Sequence, residues 1–291
     1  MVREIVLGLV FMLTVFGSEA RTGVELNERT SVSTPAAKPT SAPQQDSSRL
    51  SGVGKVAGLG EFKVALLWDN RVKVAMTASD FEFERITSDS GETEITVRGR
   101  GEDNLTIQFG GADGLSVAKG DRVIRVSRGA DSSEAIRRLV GGRAITAFRQ
   151  RVGQYERQLA SETALRKRDA LDPYAYTFVL TTAFIGELAG DPNAIGRSRE
   201  LIRRRILAGR GRPQQASFTM RQGEECWMTY EQGLLANDTR NTQCMDSANS
   251  VAWYLRGAER LLCAAEFLSG ALGAESSYIG CMGLAGLKLA A

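Results

Sequence analysis

The residues best placed to do chemistry are four cysteines, Cys226, Cys244, Cys263 and Cys281, with 17, 18 and 17 residues between them. Thiols can hold a metal, act as nucleophiles or oxidise in pairs. A structural zinc site needs two ligands converging from one tight turn, as in C-x-x-C, and no such pair occurs. Nucleophilic use needs a base, and the chain has no histidine. That absence removes Ser-His-Asp and Cys-His catalysis and every histidine metal site together. Oxidation in pairs remains. At 3.6 residues per turn, eighteen positions return a helix to its starting face, so Cys226 and Cys244 share one face of a helix, as do Cys263 and Cys281. Two such helices folded antiparallel about residue 253 set Cys226 opposite Cys281 and Cys244 opposite Cys263, in rungs about 27 Å apart by the helical rise. If residues 237–242 and 269–274 are loops instead, Cys226 pairs with Cys244 and Cys263 with Cys281 in two short hairpins. The nested pairing accounts for all three gaps and the sequential one for two, so the nested pairing is the expectation.

A second group is basic: Arg197, Arg199, Arg203, Arg204, Arg205, Arg210 and Arg212 fall within sixteen residues that contain a single acid, Glu200. On a helix, Ile195, Leu201, Ile202 and Ile206 face inward and the arginines fan across the outside. Such a face can bind an anionic surface, a phospholipid or cell-wall polymer, or it can pair with acids elsewhere in the fold. Internal pairing is the simpler expectation. Nucleic acid is not an expected partner, because no aromatic residues interleave for base stacking.

The only acid/base candidates are carboxylate pairs, Glu224 with Glu225 and Asp169 with Asp172. Two carboxylates in a cleft could run a histidine-free hydrolase. Both pairs also sit where helices begin, which the helix dipole explains. No G-x-S-x-G, S-x-x-K or H-E-x-x-H is present, so no catalytic residue, metal site or cofactor is assigned. Gly52, Gly54, Gly58 and Gly60 around Lys55 match neither phosphate-loop pattern and read as the end of a linker. Residues 89–92 read as a hairpin turn. Asn104 and Asn237 head glycosylation sequons.

The elements that position these groups follow from patterning. Arg3, an uncharged run over residues 5–17 and the small residues around Ser18-Glu19-Ala20 form an expected signal peptide, residues 1–20, cleaved after Ala20. The run is shorter than the ~20 residues a spanning helix needs, so no transmembrane segment is expected after cleavage. Export to a secreted or periplasmic location fits an even cysteine count. Losing Arg3, Glu4 and Glu19 leaves 36 basic and 32 acidic residues, a formal +4 that demands no polyanionic partner. Residues 21–52, rich in Ser, Thr and Pro, read as a disordered tether.

Residues 53–128 alternate with period two in short runs, EFKVALLW, RVKVAMTA, FEFERI, EITVRGR, NLTIQF and RVIRV, an expected antiparallel meander forming a small sandwich or open barrel. Asp69-Asn70 marks a two-residue hairpin turn. Residues 131–291 turn helical: a capping box from Asp131 to Glu134, then an amphipathic helix carrying Ile145, Phe148, Val152, Tyr155 and Leu159, then a buried helix opened by Asp172-Pro173. Another opens at Asp191-Pro192, and a disulfide-stapled hairpin covers residues 224–284. The fold class is therefore α+β, a β-domain followed by an all-helical domain. The function expected is a secreted or periplasmic non-enzymatic binding or structural module. The alternatives are a protein docking on an anionic envelope surface through residues 197–212, and the carboxylate hydrolase.

Overall fold

Hairpin after hairpin, the first half of the chain builds one antiparallel sheet. A computed structural model describes residues 48–112, 114–128, 130, 132–161, 171–209, 220–283 and 288–289, all within one compact unit, Gln45–Ala291. The strands are β1 (Ser48–Val56), β2 (Gly60–Leu67), β3 (Val72–Thr77), β4 (Glu82–Thr87), β5 (Thr93–Arg98), β6 (Leu105–Gly111), β7 (Gly114–Lys119) and β8 (Arg122–Val126). They lie in strict chain order, and a two-residue strand near the C-terminus, β9 (Lys288–Leu289), pairs with the outer edge of β1. The strands form one sheet, not two packed sheets. Its second layer is helical: α1 (Ser133–Leu139), α2 (Arg143–Ser161), α3 (Asp172–Leu188), α4 (Ala194–Gly209), α5 (Met220–Ser250) and α6 (Arg256–Met282).

Alternation decides which face those helices cover. Phe62, Val64, Val72, Val74, Met76, Phe83, Ile95, Ile107, Phe109 and Val117 point inward and are buried. Rings carry the contact between layers: Phe83 stacks on Phe148 of α2 at 4.6 Å, Phe62 and Phe83 both meet Phe178 of α3 at 5.4 Å, and Phe109 meets Phe184 at 5.4 Å. In α2, Ile145, Phe148, Val152, Tyr155 and Leu159 are all buried, as the 3.6-residue period predicts. The α3 helix is buried on every side from Asp172 to Gly186. Among the described residues no helix is long and apolar enough to cross a membrane.

Several boundaries differ from the sequence expectation. The last residues of the 21–52 stretch are strand: β1 starts at Ser48, and Gly52 and Gly54 occupy its inward positions. Gly58 and Gly60 are part of a tight turn with φ +81° and +107°, pressed against Gln158 and Arg151 of α2, where an added Cβ would collide with the Gln158 side chain. The turn after β2 has three residues, 68–70, closed by the Leu67 N–H donating to the Arg71 carbonyl at 2.8 Å, with Asn70 at φ +63°. The capping box at Asp131 lies outside the described residues; Ser132 precedes α1 without a side-chain cap bond. Asp172 is the first residue of α3, with Leu171 at the cap position. Pro192 precedes α4, which begins at Ala194 after Asn193 at φ +65°.

Candidate functional site

The α5–α6 hairpin is where the sequence placed its strongest signal, and the cysteines pair as the nested reading requires. Cys226 joins Cys281 and Cys244 joins Cys263, with Cα separations of 5.7 and 5.6 Å, inside the range an unforced bridge spans. Residues 237–242 and 269–274, candidate loops by composition, lie within α5 and α6. The polar side chains there hold the helices together: Asn237 donates its amide to the Phe267 carbonyl, and Asn241 donates to the Cys263 carbonyl at 2.9 Å. Gly270 faces Asn237 so closely that a Cβ would sit 2.5 Å from its amide oxygen, so the small residue permits the rung. The Asn237 sequon is buried in this contact, whereas Asn104 is exposed. At the outer bridge the Trp227, Tyr230 and Tyr278 rings pack at 5.8–5.9 Å, and Trp227 donates to Glu231 at 2.8 Å.

The arginines of α4 are spread over several partners. Arg197 donates to both Asp191 oxygens at 2.9 Å, and Arg199 meets Asp238 at 2.8 Å and donates to the side-chain amide oxygen Oδ1 of Asn241. Arg203 and Arg204 pair with Glu200 at 3.4 and 2.7 Å, and Arg205 donates to the Leu159 carbonyl of α2 at 3.4 Å. Arg210 and Arg212 lie outside the described residues. Arg199, Ile202, Arg203 and Ile206 of α4 also rim a small crevice floored by Leu180, Leu234 and Phe267. Arg203→Gln with Arg204→Gln should leave the melting temperature nearly unchanged, because both arginines are half-exposed or more. Arg205→Gln should lower it, since that side chain ties α4 to α2; thermal denaturation followed by circular dichroism separates the two.

Two groups that sequence reasoning did not single out are more unusual. The first is an ion pair in the core. Arg85 occupies an inward position of β4 between Phe83 and Thr87 and is 0% exposed, and its Nη2 donates to Glu275 of α6, 1% exposed. Thr177 of α3 donates to the other Glu275 oxygen at 2.8 Å. Arg85 Nε and Nη1 have no hydrogen-bond partner among the described residues. Burial pushes the Glu275 carboxyl up, with Arg85 and Thr177 pulling against it. The upward push prevails because the guanidinium reaches the carboxyl through one nitrogen only. Burial likewise pushes up Tyr174 and Tyr230 beside it, and the Glu275 charge adds to this. With both side chains at 0–1% exposure, the pair ties sheet, α3 and α6 together inside the core.

A carboxyl raised on folding contributes stability that is complete below the ordinary carboxylate range and is lost as pH rises through its raised value. Urea midpoints of the parent chain should therefore fall relative to those of Glu275→Gln as pH climbs from about 4.5, the ordinary glutamate value. A constant difference across pH would contradict it.

The second group is exposed. In the turn at 251–255, between α5 and α6, Trp253 is 80% and Tyr254 54% exposed, their rings edge to face at 5.9 Å. The turn is closed by Leu255 N–H donating to Ala252 at 2.9 Å and by Arg256 Nε donating to Val251 at 3.1 Å. Beneath it lie the Cys244–Cys263 bridge and Arg128, which spans Glu259 and Glu266 at 2.9 and 3.1 Å. Nothing in periodicity marks such a tip; the signal was two adjacent aromatics in the stretch meant to turn. Of the carboxylate candidates, Glu224 and Glu225 are both exposed in the first turns of α5, Asp172 is buried at the start of α3, and Asp169 lies outside the described residues.

No family model, curated protein or solved structure matches the chain. Two disulfides point to maturation outside the reducing cytosol.

Proposed function

We propose that the protein is an exported, non-enzymatic binding module whose sheet and helices serve as a rigid base for the α5–α6 hairpin tip. Residues 1–20 act as the export leader, with Arg21 at the mature N-terminus. The observation that carries the reading is the exposure of Trp253 and Tyr254 on a turn held by a disulfide. Large aromatic side chains left in water on an ordered element are the usual currency of recognition, because burying them on a partner contributes strongly and costs little conformational entropy. A docking role for the α4 arginines has less support, since each described one already has a partner.

In cells that make the protein, Trp253→Ala with Tyr254→Ala should leave export and melting temperature as they were. It should shift the chain from larger or sedimenting assemblies to the lone chain, read by fractionation and gel filtration. An identical distribution for parent and variant would overturn the reading.

A further inference from the structure

The chemistry of the tip also bears on what it touches. Residues 247–257 contain no acid and one cation, Arg256. Trp253, Tyr254 and Arg256 are exposed, and Val251 and Leu255 are half-buried beneath them. The shape is a convex turn capped by two amphipathic rings, each an apolar body with one hydrogen-bond donor at its edge. Such rings favour the boundary between hydrocarbon and water, where body and donor are both satisfied. A cation just past the rings, with no acid paired to it among the described residues, complements lipid phosphate and an anionic leaflet. Lower on the hairpin Arg128 spans Glu259 and Glu266, so the charge at the turn itself is that of Arg256.

We propose that the partner of this tip is a phospholipid bilayer: Trp253 and Tyr254 enter the headgroup layer and Arg256 meets lipid phosphate. This rests on the reading that the tip is the contact element. Two rings and one cation make a weak, reversible anchor, comparable in kind to a single lipid chain.

The test uses the oxidised mature chain with vesicles of phosphatidylcholine, with and without phosphatidylglycerol, reading sedimentation and tryptophan emission. The parent chain should co-sediment, more so with phosphatidylglycerol and less with salt, and its emission should shift to the blue. Trp68→Phe removes the other strongly exposed tryptophan and should retain both effects. Trp253→Ala with Tyr254→Ala should weaken binding about tenfold or more. Arg256→Gln should abolish only the gain from phosphatidylglycerol, and Arg203→Gln with Arg204→Gln should change nothing. No binding of the parent to either vesicle, or equal binding of the double variant, overturns the proposal. A photo-crosslinker at position 253 distinguishes the failures: adducts to a protein leave the contact role standing without the bilayer, and no adduct removes both.

Discussion

Arg85→Met should destabilise the protein by about 3–5 kcal/mol, the cost of leaving a buried charge without its partner. The substitution keeps an unbranched apolar stem and removes the cation, so Glu275 is left with Thr177 as its remaining donor. Measured as the urea midpoint, the loss should deepen with pH as the raised carboxyl ionises. Arg85→Met with Glu275→Leu should recover most of it, because replacing both members of a buried pair by apolar groups is often neutral or better. A cost on that order is a large share of the ~5–15 kcal/mol by which domains are stable, so the single variant should be visibly marginal. If Arg85→Met behaves like a surface change, or the double variant is no better than the single, the pair does not hold sheet to helix as described.

Removing either disulfide should cost about 3–4 kcal/mol taken alone, by loop closure over separations of 55 and 19 residues. Each single loss should fall slightly short of its stand-alone value, because the inner bridge already shortens the loop the outer one closes, so losing both should cost slightly more than the two single losses together. They should also differ in place. Cys226→Ser with Cys281→Ser loosens the end where Trp227, Tyr230 and Tyr278 pack, whereas Cys244→Ser with Cys263→Ser frees the aromatic tip. Hydrogen exchange should accelerate near residues 226–230 and 278–281 in the first variant, and over 245–262 in the second. Alkylation of the unreduced mature chain should add no label, and a peptide linking Cys226 to Cys244 would refute the pairing.

What the sequence revealed tracks what repeats in it. The α2 stripe and the cysteine spacing survive as periodicities, so helix faces and the nested bridges were legible. β1 was not, because its inward positions at Gly52 and Gly54 carry no side chain to make alternation visible. β7 was hidden too, its Leu115 and Val117 being a short signal beside a glycine cluster. Residues 237–242 look like a loop by composition, yet their amides bond across the hairpin, a gain that appears only once α6 lies alongside. Arg85 sits where alternation asks for an apolar residue, and only a partner 190 positions away explains it. The turn at 253 follows from the cysteine symmetry, but the exposure of Trp253 and Tyr254 does not: aromatic residues are usually core, and exposure is a property of the assembled hairpin.

The role proposed for this scaffold is to present the 251–255 turn. A photo-reactive residue at position 253, with controls at the exposed positions 68 and 240, tests it most directly when the chain is made and exported in its own cell. Adducts concentrated at 253 and faint at 68 and 240 are predicted. Equal labelling at all three positions, or none at 253, would contradict it.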